Sequence, residues 1–453
     1  MAADERRRTM SLNLANLPIL LVAFGAAIGL GGLIYSRPRL GMAAWLVVIA
    51  FVPIWMGVTI KLYFMPVTLV GIVALLAVLP RLLGDDPAAR LGLPDFIVAA
   101  LFVSCLIPIV TGGSTRATVF VVLTNWLIPF IVGRMFPRLV GVDWIYRVVA
   151  VIFALVGIGL LIEFLTNYNP FVTLLARGNP LYTTWGTIQT RGDQSRAEWA
   201  FGHSIAAGSS VALAMPLTIA ARLPTWLRML MVLIMGAGVV VTLSRVSMIG
   251  AVLGVLMMAV LMRDLAPKIR AAVIVGVCAL VAALGPFVSS TLADAGSEAA
   301  NSASYRGWLV ALVPHIAPLG FSPVGVRGTD GTLYFGNFQS IDSELIYLGL
   351  LYGWFALVIG LVGLLVTVGT VVARRATPAT IALAAQIPTL ATVAFITQYT
   401  DFFWFAVGLA AYTQASLRAR KPQVLPVSNA LRPQESLQII SRQPSYRPSG
   451  RVN

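Results

Sequence analysis

Arg245, Arg306, Asp342 and Glu344 are the residues best suited to chemistry, because each interrupts or borders a long apolar run. Arg245 stands with Ser244 and Ser247 at the middle of the 37-residue run 226–262. A charge at membrane depth is expensive and has to face a polar cavity or a partner. A guanidinium there can fork onto phosphate oxygens or snorkel to lipid headgroups, and the sequence weighs these equally. Arg306 lies between Tyr305 and Trp308. That grouping suits a sugar phosphate, with rings against pyranose faces, and equally an aromatic belt with its cationic anchor. Asp342 and Glu344 fall in the first turn of a helix predicted from Ser340, which can cap it. The helix dipole favours carboxylates there and predicts lowered pKa values, whereas a general base wants a raised one. Two residues apart, they do not share a helix face, so at most one acts directly.

A second polar stretch, 166–202, supplies Arg191, Arg196 and Glu198 and leads into His203 at a helix start. His203 is an acid–base candidate or a hydrogen-bonding fixture. His315 is the only other histidine, so a histidine-rich metal site is excluded. No outer loop carries a carboxylate cluster of metal-site type, and no metal or cofactor is expected. No glycine-rich phosphate loop occurs, which argues against ATP hydrolysis. Cys105 and Cys278 lie in apolar runs and cannot build a disulfide framework.

The elements that position these residues are set by composition. Of 453 residues, 58% are hydrophobic and 11% charged, and apolar runs of membrane-crossing length recur. The expected class is all-α, a polytopic membrane protein of 12–13 transmembrane helices with a large extracytoplasmic loop. A transmembrane barrel is excluded, since its strands alternate. The charge of +15 is spread singly or in pairs between apolar runs, so no nucleic-acid partner is expected.

The predicted organisation is an N-terminal segment (1–17), transmembrane helices (18–289) with a smaller outer loop at 166–202, a large extracytoplasmic loop (290–340), C-terminal transmembrane helices (341–417) and a basic disordered cytoplasmic tail (418–453). The predicted spans are 18–34, 42–57, 66–82, 94–111, 118–133, 144–165, 203–221, 226–243, 246–262, 270–289, 341–371, 378–397 and 400–417, with a tight turn at Gln398–Thr400. No cleavage site follows the first run, so it is expected to remain in the protein.

Alternation of these spans gathers Arg37, Arg39, Arg81, Arg90, Arg134, Arg138, Arg147, Arg222, Arg228, Arg263, Lys268, Arg270, Arg374, Arg375 and the tail on one side, the cytoplasm by the positive-inside rule. Lys61, Arg116, the Ser244–Ser247 turn and both long loops fall on the other. Thirteen spans put the N-terminus outside, against Arg6-Arg7-Arg8. The tail carries seven Lys/Arg against one Glu and suits an anionic lipid surface. No internal repeat is evident, and the polar residues are expected to cluster in outer loops, both of which weigh against a transporter.

With these motifs the chain resembles the O-antigen ligase and polymerase superfamily over roughly residues 190–410. The pieces are Thr242-Leu-Ser-Arg245 at a hairpin, Arg306-x-Trp308 followed by Pro318-x-Gly320 and Gly325, Asp342-Ser-Glu344-Leu with Leu348–Gly353, and Arg196-Ala-Glu-Trp-Ala-Phe-Gly-His203-Ser with Met215-Pro216. Family ligases carry a His-Asn pair where this chain has Asp342-Ser343, which is more similar to exopolysaccharide and capsule polymerases. The resemblance implies a metal-independent inverting glycosyltransferase of the bacterial cytoplasmic (inner) membrane, active on the extracytoplasmic face. Its donor would be a polyprenyl-pyrophosphate-linked oligosaccharide, with Arg245 and Arg306 holding pyrophosphate and Asp342 or Glu344 as base. Arg191, Arg196, His203, Tyr305, Trp308 and His315 would line the substrate site. Membrane lipid and chain-length regulator or flippase proteins are the partners it implies. The alternatives are a ligase moving a finished glycan to a lipid or protein, and, in another class, a lipid-glycan transporter.

Overall fold

The computed structural model describes residues 17–419 apart from 61, 83–89, 111–112, 175–179, 192–193, 263–266, 306, 329–332 and many positions from 269 to 303. Arg306, Lys61, Arg263, Arg6–Arg8, half of the segment 270–289, the loop's first part and the tail beyond 419 therefore lie outside the described residues.

The fold is all-α. The principal described helices are α1 (Leu17–Ser36), α2 (Pro38–Phe51), α3 (Pro66–Val78), α4 (Leu93–Val110), α5 (Arg116–Val140), α6 (Val142–Thr166), α7 (Ser204–Ala220), α8 (Thr225–Val241), α9 (Arg245–Leu261), α10 (Glu344–Tyr352), α11 (Trp354–Val372), α12 (Pro378–Ala385), α13 (Ile387–Thr392) and α14 (Thr397–Ala419). Four of them, α4, α5, α6 and α11, are long and apolar enough to cross a membrane. Three two-stranded antiparallel ribbons complete the described structure: β1 (Val58–Ile60) with β2 (Leu62–Phe64), β3 (Thr190–Arg191) with β4 (Gln194–Ser195), and β5 (Gly325–Arg327) with β6 (Leu333–Phe335).

Local chemistry sets the helix starts. Pro38, Pro66 and Pro378 occupy first-turn positions where their missing N–H costs nothing. Ser244, Ser343 and Thr377 cap their helices by accepting the N–H three residues on. Small residues then let helices approach closely. A Cβ added at Gly133 of α5 would stand 2.0 Å from the Phe405 carbonyl oxygen, and one at Gly408 of α14 would stand 2.1 Å from that of Phe130. The α5 and α14 backbones therefore touch. α5 also contains a π-helical turn, Val122–Leu127, and Trp126 from it stacks on Trp404 of α14 at 5.2 Å.

Several breaks differ from the sequence expectation. The stretch 341–371 is not one helix. Gly353, at φ +94°, separates α10 from α11. The segment before α10 docks on that break, with Trp354 N–H donating to Ala317 (2.8 Å), Gly320 N–H to Tyr352 (2.9 Å) and Ser322 N–H to Leu350 (2.8 Å). A Cβ at Gly353 would meet the Leu319 backbone at 2.7 Å, so only glycine fits.

The stretch 378–397 is broken as well, into α12, α13 and non-helical residues 393–396. Gln398–Thr400, expected as a tight turn, lies in the first turn of α14. The expected span 42–57 stops helically at Phe51, where Pro53 forbids continuation and a short 3-10 turn leads to the β1–β2 ribbon. Arg134, expected in a cytoplasmic loop, is buried inside α5. Its Nε and Nη2 fork onto Asp95 of α4 at 2.7 and 3.2 Å.

Candidate functional site

The described candidates form two groups. The first surrounds the turn Thr242–Ser244 between α8 and α9. Leu243 sits there at φ +50°, an uncommon conformation for a leucine that the surroundings must enforce. Arg191, on β3, donates from Nη1 to the Leu243 carbonyl at 2.6 Å, and Arg196 donates from Nε to the Thr242 carbonyl at 3.0 Å. Ala197 N–H adds a bond to the Val241 carbonyl at 3.2 Å. The β3–β4 hairpin and the residues after it thus strap the end of α8, whose last carbonyls have no intrahelical partner. Ser244 caps α9, its hydroxyl lies 2.8 Å from that of Ser247, and Ser247 lies 3.0 Å from Ser209 of α7. Arg245 is the first residue of α9 and is exposed. A fixed cation beside the positive end of a helix dipole suits an anion.

His203 closes this group as the N-cap of α7. Its Nδ1 accepts the Ile205 N–H at 3.1 Å, and its ring meets Trp185 edge-on. Burial, with the Arg196 charge second, pushes its pKa down to about 3. A neutral histidine committed to capping is a fixture, and the acid–base role fails on that ground. Glu198 lies completely buried nearby, and among the described residues neither of its carboxylate oxygens has a hydrogen-bond partner. Burial first, and then the Glu163 charge, raises it to about 9, against the opposing pull of Arg196.

The second group is the end of the large loop. The Tyr305 hydroxyl donates to the Ser340 carbonyl, its ring meets Phe338 at 5.5 Å, and the Ser340 hydroxyl donates to Asp342 at 3.0 Å. Asp342 is half-buried and precedes the helix, because Ser343 and not Ser340 is the cap. Glu344 is the first residue of α10 and is buried. Its Oε2 accepts the Phe395 N–H at 2.6 Å, while its own N–H donates to Val393 at 3.1 Å. Trp308 is 64% exposed and His315 is exposed on a 3-10 turn, and among the described residues no side-chain hydrogen bond joins either to the first group.

The two groups flank one element. α9, which starts at Arg245, and α10, which starts at Glu344, both pack on α13. Beneath Glu344 opens an apolar groove of about 1030 Å³, its open mouth included, between α4, α11, α12 and α14. It runs from Glu344, Trp126 and Phe395 to Thr370 and Gln414. Sequence reasoning missed this groove and also Glu163, Gln398 and Asp401, all buried in or between helices. A lone polar residue in an apolar run was the available signal.

No family model matches the chain, and neither a characterised protein nor a solved structure matches it.

Proposed function

We propose that the protein transfers glycan from a polyprenyl-pyrophosphate-linked oligosaccharide, polymerising repeat units of a surface polysaccharide at the outer face of the bacterial inner membrane. One observation carries the reading: an exposed arginine begins α9 on a turn pinned by two further arginines, Arg191 and Arg196. Such an arrangement places fixed positive charge where a leaving pyrophosphate would develop negative charge. The groove below Glu344 supports it, as a long isoprenoid tail needs apolar space beside the headgroup site. Asp342 is the better base, since it is half-buried and reachable while Glu344 is sealed against Phe395. It would take the acceptor hydroxyl proton as that oxygen attacks the anomeric carbon and pyrophosphate leaves with the bonding pair.

The test is polymer formation by purified protein in nanodiscs given a lipid-linked repeat unit and no metal. A ladder of products in wild type and its loss in Arg245→Ala support the reading; an unchanged ladder in the variant defeats it. A second reading, a lipid-glycan transporter, is favoured by acids buried within helices, Glu163 and Asp401. Vesicles that reorient the lipid-linked unit without lengthening it would decide for the transporter.

A further inference from the structure

Besides Glu344, which clamps the Phe395 amide, three buried helical carboxylates among the described residues are unused by the proposed transfer. Asp95 is satisfied by Arg134 and by the Gly92 N–H at 2.8 Å. Glu163 accepts from Asn169 at 2.9 Å and from the backbone N–H groups of Glu198 and Trp199 at 3.2 and 2.7 Å. Asp401 of α14 is different. It is 0% exposed, and among the described residues neither carboxylate oxygen has a hydrogen-bond partner outside its own residue, whose backbone N–H faces it.

The orphaned oxygens extend to the turn above it. Thr397 Oγ1 and Gln398 Oε1 are also buried without partners among the described residues. Gln398 precedes Asp401 by three positions within α14, and helix geometry puts such neighbours on adjacent turns, about 5–6 Å apart at Cβ. Thr397 begins the same helix one residue earlier, so one buried carboxylate and two buried neutral oxygens belong to its first five residues. The set is held in place. Gln398 Nε2 donates to Val52 at 3.0 Å and Ala200 at 2.9 Å, which fixes where Oε1 points. Thr397 is held at φ +45°, an outlier for a β-branched residue, just after the non-helical residues 393–396. The same helix face packs on α5, whose π-helical turn contributes Trp126 against Trp404, and such turns gather at functional sites.

We propose that Thr397, Gln398 and Asp401 form an intramembrane binding site for a hard monovalent cation of the sodium class. Oxygen-only donors select hard cations over transition metals. A single carboxylate balances one positive charge and leaves a divalent ion under-neutralised in a dry interior. The site lies under the 3-10 turn Trp199–Phe201, which packs on α2, α6, α7 and α14 and carries the Ala200 carbonyl bonded to Gln398. Trp404 Nε1, also unpartnered and three residues further on, can donate to the remaining carboxylate oxygen without displacing the ion. The site stands independently of the glycosyl-transfer reading.

The experiment uses full-length protein in nanodiscs at constant ionic strength, with N-methyl-D-glucamine chloride replaced stepwise by sodium, potassium or lithium chloride. One of these cations is expected to raise Tm by roughly 2–4 °C along a binding isotherm, with a saturable change in tryptophan fluorescence reported by Trp404. Asp401→Asn, nearly isosteric, should abolish both responses. Thr397→Val should weaken the apparent affinity by roughly tenfold, the scale of losing one supporting group at a metal site, and gives an answer if the first variant does not fold. Identical Tm and fluorescence in all four salts would mean a site filled by water alone and would overturn the proposal. A cation response that survives unchanged in Asp401→Asn or Thr397→Val would place the ion elsewhere and overturn it equally.

Discussion

The Arg191 guanidinium donates at 2.6 Å to the carbonyl of Leu243, 52 residues away, and so fastens the β3–β4 hairpin to the turn that presents Arg245. Arginines counted as substrate ligands from sequence are here bonded to backbone. In the proposed anion site their contribution is positional, through the turn they hold, where Leu243 is left-handed.

Arg191→Lys is therefore expected to lower polymer formation in the reconstituted system by about tenfold to a hundredfold, since displacements near 1 Å in a site cost rates on that scale. A lysine keeps the charge but loses the planar fork. Charge in general would be the requirement if the lysine variant matched wild type; the bond to Leu243 is the requirement if it falls with Arg191→Ala. Product ladders from both variants, read beside their Tm, separate these outcomes.

The Asp95–Arg134 pair joins α4 to α5 in the buried interior. Asp95→Ala strands a buried guanidinium and should cost on the order of 3–5 kcal/mol. Replacing both partners with apolar residues, Asp95→Leu with Arg134→Met, should recover most of that loss. Thermal unfolding of the two variants in detergent checks it, and equal destabilisation of the single and double variants would show that the pair is not what matters.

Glu198 gives a pH signature. Its pKa is raised to about 9 in the folded protein from an ordinary 4.5. Between those values the unfolded chain has lost a proton that the folded chain keeps, so stability falls as pH rises across that window. His203 acts oppositely. Its pKa, lowered to about 3 from 6.5, means stability is lost as pH falls through that lower window. Tm against pH is expected to flatten on the alkaline side in Glu198→Gln and on the acid side in a His203→Asn variant that preserves the cap. An alkaline limb unchanged in Glu198→Gln would refute the assignment.

Legibility in the sequence followed polarity. The break at Ser244-Arg245 was readable because two polar residues interrupt a run too long for one span. The break at 393–396 was not, because Val393, Ala394, Phe395 and Ile396 are all apolar. It is held from outside its own sequence, by the Glu344 N–H on Val393 and the Glu344 carboxyl on Phe395. Gly353 gave no signal among forty glycines until the docked loop explained it. Candidate anion ligands were visible as arginines; which of them grip the backbone was decided by a hairpin contact no spacing rule encodes.

The remaining prediction separates the two carboxylates. Asp342 accepts the Ser340 hydroxyl and is half-buried beside Tyr305. Glu344 is buried and clamps the Phe395 amide. Glutamine keeps the size of Glu344, and its carbonyl still accepts the Phe395 N–H. Glu344→Gln should therefore fold and polymerise close to wild type. Asp342→Asn keeps size and hydrogen bonding but cannot take the acceptor hydroxyl proton, and loss of a general base typically costs about 10²–10⁴ in rate. Ser343 caps α10 without help from residue 342, so Tm should barely move in Asp342→Asn. Normal turnover by Asp342→Asn with a dead but folded Glu344→Gln would assign the base to the buried carboxyl. Normal turnover by both would remove the carboxylates from the mechanism and leave His315, the exposed histidine, as the residue to change next.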